Sequence, residues 1–81
     1  MQTNTRMTTV QWVKGNVIPK EVKIDVFDYV ALAMNFESPS NKYVEIDHLE
    51  NFSYEKDKEG NIVFGNAVEG WAILNIPYPA F

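Results

Sequence analysis

Imidazole and carboxylates meet at one place in this sequence, Glu45 and the run Asp47-His48-Leu49-Glu50. Such groups could move a proton or hold a divalent cation, but an acid–base pair or a ligand set must converge on one point. On a strand, Glu45 and Asp47 share one face while His48 and Glu50 share the other, so the spacing divides the set. A solvated strand edge is the reading this favours. Asp57-Lys58-Glu59-Gly60-Asn61 has the composition of a calcium loop, yet the glutamate that closes such a loop at its twelfth position is replaced by Val68. It reads as a charged hairpin turn.

The remaining chemistry is thin. Glycines at 15, 60, 65 and 70 match neither a dinucleotide-binding nor a Walker spacing. With no cysteine, thiolate-held zinc, iron–sulfur clusters, disulfides and cysteine nucleophiles are excluded. A single histidine leaves Ser38, Ser40 and Ser53 one base to share, at no suggestive position. The expectation is a protein that is not an enzyme, with no cofactor and no metal site.

Interaction chemistry is better supplied. Nine of the eleven acids (Asp25, Asp28, Glu37, Glu45, Asp47, Glu50, Glu55, Asp57, Glu59) crowd the middle of a chain whose net charge is −4. From Trp71 to Phe81, WAILNIPYPAF, there is no charge at all. That end is read as a last core strand followed by a tail. Trp71, Tyr78 and Phe81 are its candidate partner anchors, with Glu45, Asp47, Glu50 and Glu55 as steering charge. Four basic residues against one acid before Asp25, and one arginine overall, are a poor supply for gripping phosphates. Direct binding to nucleic acid or to an anionic membrane is not expected.

The functional expectation is therefore a small acidic non-enzymatic protein-binding module, partnered by another protein and, in addition, by itself as a dimer. By analogy of size and charge alone, phage and mobile-element inhibitors of host proteins fit this profile. One alternative is a structural subunit of a homo-oligomeric assembly. Another is a nucleic-acid mimic that inhibits a DNA- or RNA-binding enzyme through the clustered acids. The N-terminus lacks the apolar stretch of a signal peptide and no long apolar run occurs elsewhere, so a cytoplasmic location is expected, the host cytoplasm if phage-encoded.

The elements that must position these groups fit one domain, residues 8–81, behind a flexible N-terminal arm at 1–7, because 81 residues leave no room for a second core. Five Phe, four Tyr and two Trp predict a core reinforced by aromatic burial. Strand signals run over Thr8–Lys14, then Val22, Ile24 and Val26 alternate inward against Lys23 and Asp25, and Pro19 marks a sheet edge or a strand entrance. Asp25–Phe36, DVFDYVALAMNF, would be apolar on both faces as a strand. As a helix it has one narrow polar stripe, Asp25 as N-cap and a stop at Ser38-Pro39. Helix is the favoured reading. Further strands are expected around Val44–Ile46, Phe52–Tyr54, Ile62–Phe64 and Ala67–Ile76, the last with a bulge near Gly70. The predicted fold class is α+β, a small antiparallel sheet of about five strands packed on one helix near 25–36, with an all-β small barrel as the alternative.

Overall fold

The computed structural model describes residues 10–36, 41–75 and 79–81. Seven strands are present: β1 (Val13–Lys14), β2 (Val17–Ile18), β3 (Tyr29–Asn35), β4 (Lys42–His48), β5 (Tyr54–Lys56), β6 (Ile62–Phe64) and β7 (Val68–Leu74). They form two antiparallel sheets, β1-β7-β3-β4 and β2-β6-β5. The helical content of the described residues is short, chiefly one 3-10 turn at Leu49–Asn51, and none of it is long and apolar enough to cross a membrane.

The α+β expectation is thus corrected to a mainly β fold, and the helix at 25–36 does not form. The reason is visible in the hydrogen bonds of Asp25 and Asp28. The Asp25 N–H donates to Asp28 Oδ2 at 2.8 Å, and Asp25 Oδ1 accepts from the Phe27 N–H at 3.0 Å. These are the bonds of a helix start, but here they close a turn, with the Asp28 N–H donating to the Asp25 carbonyl. Carbonyls of that turn accept from the 3-10 segment: Leu49 N–H reaches Asp28 at 2.9 Å and Glu50 N–H reaches Val26 at 3.0 Å. Past the turn the chain enters β3, where β7 on one side and β4 on the other satisfy its backbone.

The expected strand at Glu21–Val26 is also corrected. Val22 and Ile24 do pack against the core as their alternation implies, whereas Val26, expected inward with them, is exposed. The segment nevertheless pairs with nothing in a ladder: Val22 N–H turns back to the Pro19 carbonyl and Lys20 N–H is held by Asn61 Oδ1. Alternation reported burial there, and burial alone does not make a strand.

The core lies between the two sheets. Val30, Leu32, Val68 and Trp71 from the larger sheet meet Ile18, Ile62 and Phe64 from the smaller, with Leu49 closing one side. Phe52 and Tyr54 meet the Phe64 ring edge-on at 6.4 and 6.2 Å. Aromatic reinforcement is narrower than expected. Trp71 and Phe64 are buried, whereas Trp12, Phe27, Tyr29, Phe36, Tyr43 and Phe81 are exposed. The Trp71 indole N–H is buried without an acceptor, an uncommon condition for tryptophan.

Two glycines set the corners. Gly15 at φ +116° lets the chain leave β1 in one sheet and begin β2 in the other, and Gly60 at φ +91° turns the β5–β6 hairpin. β2 ends directly before Pro19 at a sheet edge. The expected irregularity in the last strand falls between the pairs Ala33–Gly70 and Met34–Val68, leaving Glu69 as the extra residue of a bulge.

Candidate functional site

Registers assign every strand residue of the larger sheet to a face. Val30, Leu32, Trp71 and Ile73 point to the core, so their neighbours Tyr29, Ala31, Ala33, Gly70, Ala72 and Leu74 lie on the outer face. Across β4 the residues opposite that outer row are Val44, Ile46 and His48. On the other side, Lys14 stands opposite Gly70, and the Trp12 ring approaches the Gly70 position.

The outer face therefore has a floor of small residues, Ala31, Ala33, Gly70 and Ala72, between taller side chains. A Cβ added at Gly70 would sit 3.3 Å from the Val13 carbonyl oxygen, so a glycine there lets β1 and Trp12 close onto the sheet. Trp12 remains 44% exposed, Tyr29 39%, Val44 54% and Ile46 56%. The Tyr29 and His48 rings pack at 4.3 Å between centroids at one end of this face. Lys14 and Lys42 stand toward the other end, opposite Gly70 and Asn35. A groove of about 380 Å³ runs between Trp12, Lys14, Ala33, Glu69 and Gly70.

The anchors expected from the sequence are dispersed. Trp71 is a core residue, 6% exposed, on the face of β7 turned away from this surface. Phe81 is fully exposed, and Tyr78 lies outside the described residues. Glu45 and Asp47 are on the side of β4 opposite Val44 and Ile46. Glu50 is exposed in the 3-10 turn, and Glu55 is exposed in β5 of the other sheet.

Several acids serve their own backbone. Asp47 Oδ1 accepts from Asn51 Nδ2 at 2.9 Å and from the His48 N–H at 2.7 Å. The Asn51 amide first, then the His48 N–H and the nearby imidazole, hold the Asp47 carboxyl below its usual range. Asp57 clasps its hairpin turn in the same way: its carboxylate accepts from Asn61 Nδ2 and from the Asn61 and Glu59 N–H groups at 2.9 to 3.0 Å. Those bonds, the Asn61 side chain foremost, likewise lower the Asp57 carboxyl. Among the described residues, no three His, Asp or Glu side chains come together in a way that could hold a metal ion.

A second concavity, about 320 Å³, opens between the sheets and is lined mainly by Leu32, Met34, Phe52, Phe64 and Val68, with Glu45 at its edge. It brings the Glu45 carboxylate, Asn51 and Ser53 to an apolar wall, and the chain's one histidine is not among its lining residues. The outer face, by contrast, gathers four exposed apolar side chains, Trp12, Tyr29, Val44 and Ile46. Its residues Trp12, Tyr29, Val44 and Ile46 were not among the expected anchors, although a signal for them was present: β3 is apolar on both faces, which means that a second surface of the sheet is also water-averse.

Comparisons with protein-family models, with curated proteins and with solved structures find no match to this chain.

Proposed function

We propose that this protein is a small non-enzymatic protein-binding module whose docking surface is the outer face of the four-stranded sheet. The observation that carries this reading is the exposed apolar set Trp12, Tyr29, Val44 and Ile46 on one face of the sheet, above small residues that are themselves buried. Contiguous apolar surface that water must cover is costly to maintain, and rigid strands offer it with little loss of entropy on binding. The partner that fits is a protein whose own apolar side chains pack against Trp12, Tyr29, Val44 and Ile46, carrying a carboxylate at the end that meets Lys14 and Lys42. Inhibition of a host protein, as mobile elements practise it, is the narrower form of the same reading.

The test passes a lysate of the native source over the immobilised whole chain. Bound protein should be lost about tenfold or more with Trp12→Ser or Tyr29→Lys, the expected loss for central contacts. It should persist with Glu55→Lys on the other sheet, and salt should weaken it only slightly because the face is mainly apolar. Capture that survives both outer-face substitutions and collapses with salt or with Glu55→Lys would place the contact on the acids instead and overturn the reading.

A further inference from the structure

We infer that β4 is a self-pairing edge, through which two copies of this chain join in antiparallel register about a two-fold axis at Val44 into one eight-stranded sheet. This inference concerns the backbone edge of β4 and does not rest on the docking face.

The hydrogen bonds decide which backbone groups are open. Leu49 N–H donates to the Asp28 carbonyl, and residues 28 and 49 continue the β3–β4 register, so they hold a hydrogen-bonded position of the ladder even though the Asp28 N–H itself turns to the Asp25 carbonyl. By alternation the pairs Val30–Asp47, Leu32–Glu45 and Met34–Tyr43 do the same, and the backbone of Lys42, Val44, Ile46 and His48 points away from β3. Asn35 N–H bonds to the Ala67 carbonyl on the β7 side, as this phase requires. At the far end of the edge, Asp47 Oδ1 occupies the His48 N–H. Lys42, Val44 and Ile46 are left with both N–H and C=O on an edge that no other described strand pairs with.

Of the usual protections β4 has its charges alone, Lys42 at one end and Glu45 and Asp47 on the core side of the strand, and these restrict the register in which it can pair. It runs for seven residues, contains no proline or bulge, and exposes Tyr43, Val44 and Ile46. Registers of a two-fold pair can then be compared by what they set opposite. An axis at Glu45 places Glu45 against its own copy. An axis at Ile46 places Glu45 against Asp47 and calls on the occupied His48 N–H. An axis at Val44 sets Val44 against Val44, Lys42 against Ile46 and Tyr43 against Glu45. No like charges are then directly opposed, and the open groups of Lys42, Val44 and Ile46 all find partners. It also gives the Tyr43 hydroxyl a carboxylate to donate to. The second copy supplies both the charge pattern and the hydrogen-bond phase that the edge requires. Because the axis is perpendicular to the sheet, the two outer faces come to lie side by side on one surface.

Sedimentation or light scattering of the purified full chain tests the pairing. The expected result is a concentration-dependent rise to about twice the 9.3 kDa chain mass. Val44→Pro should abolish the rise, because it deletes an N–H that β3 does not use. A chain without native cysteine also permits a register test by oxidation. Val44→Cys should cross-link to its copy, since directly opposed Cα atoms about 5.5 Å apart can be bridged. Ile46→Cys alone should cross-link at least several-fold less, and regain the yield when combined with Lys42→Cys. A wild-type chain that stays at monomer mass at the highest attainable concentration would overturn the inference, as would equal cross-linking of Val44→Cys and Ile46→Cys. The cross-linking series stands even if Val44→Pro fails to fold.

Discussion

Strands β3 and β4 have the same length and pair residue for residue over seven positions, but β3 is buried for much of its length and β4 is exposed for most of its own. On the outer face their residue types overlap, since YVALAMN and KYVEIDH both carry apolar side chains there; on the core side β3 has Val30, Leu32 and Met34 where β4 has Tyr43, Glu45 and Asp47. Position separates them as well. β3 has a neighbour on each side, and Ala31 is buried even though it lies on the face away from the core. β4 has a neighbour on one side only, and larger residues, Val44 and Ile46, stand there half in water. The lesson is that burial in a small sheet depends on adjacency together with residue type: the central strand is uncharged on both faces, and the edge strand keeps apolar residues on its outer face while placing Glu45 and Asp47 on the other.

The comparison can be broken most forcefully in the core. Leu32→Ala in β3 should cost about 2–5 kcal/mol in a denaturant titration, the range for a fully buried leucine. Val44→Ala, in the adjacent strand, should cost about 0.5 kcal/mol or less. Equal losses would mean that β4 is covered after all.

Proline sharpens the contrast within β4 itself. Glu45→Pro removes an N–H that bonds to the Leu32 carbonyl in the deduced register, leaving that acceptor in a buried sheet. About 1–3 kcal/mol should be lost from the unmade bond alone. Val44→Pro, one residue away, should melt close to wild type because its N–H faces outward and Tyr43 is already extended. Thermal unfolding of the two variants side by side checks this, and the reverse order would show that the strand phase is shifted by one.

The smallest effect is the pH dependence of the two turns. Asp47 and Asp57 have folded-state pKa values lowered chiefly by Asn51 and Asn61. Groups of this kind contribute stability above their unfolded pKa, about 3.9, and lose it as pH falls through the folded value. Melting temperature should therefore drop below about pH 4, and Asn61→Ala should lower the plateau near neutral pH while flattening that acid drop. Because both carboxylates are solvent-exposed, the change should be small beside that of Leu32→Ala.

Much of the β content was legible from residues alone. Ile62–Phe64, the Lys56–Asn61 turn and the tract from Ala67 onward declare themselves through alternation, a glycine at the turn and strand-forming residues. Pro19 marked a sheet edge because it has no N–H to give. The segment 25–36 was not legible, since Asp25 and Asp28 make the same local hydrogen bonds whether a helix or a strand comes next. The choice depended on β7, a partner about forty residues away, and local sequence carries no term for it. The candidate site was legible only as an anomaly, a strand apolar on both faces, because assigning the outer surface to Trp12, Tyr29, Val44 and Ile46 needs the strand order.

By itself, then, the sequence determined the absence of thiol chemistry, the acidic balance and the turns at Gly15 and Gly60, all properties of single residues or close neighbours. Tertiary structure alone decided that Trp71 is core while Trp12 and Tyr29 face water, that Asp25 and Asp28 turn the chain instead of starting a helix, and that β4 stands at an edge. Those outcomes depend on which strands become neighbours. Neighbourhood in a sheet is settled by the joint burial of side chains and backbone groups from distant parts of the chain, and so no local stretch could have announced it.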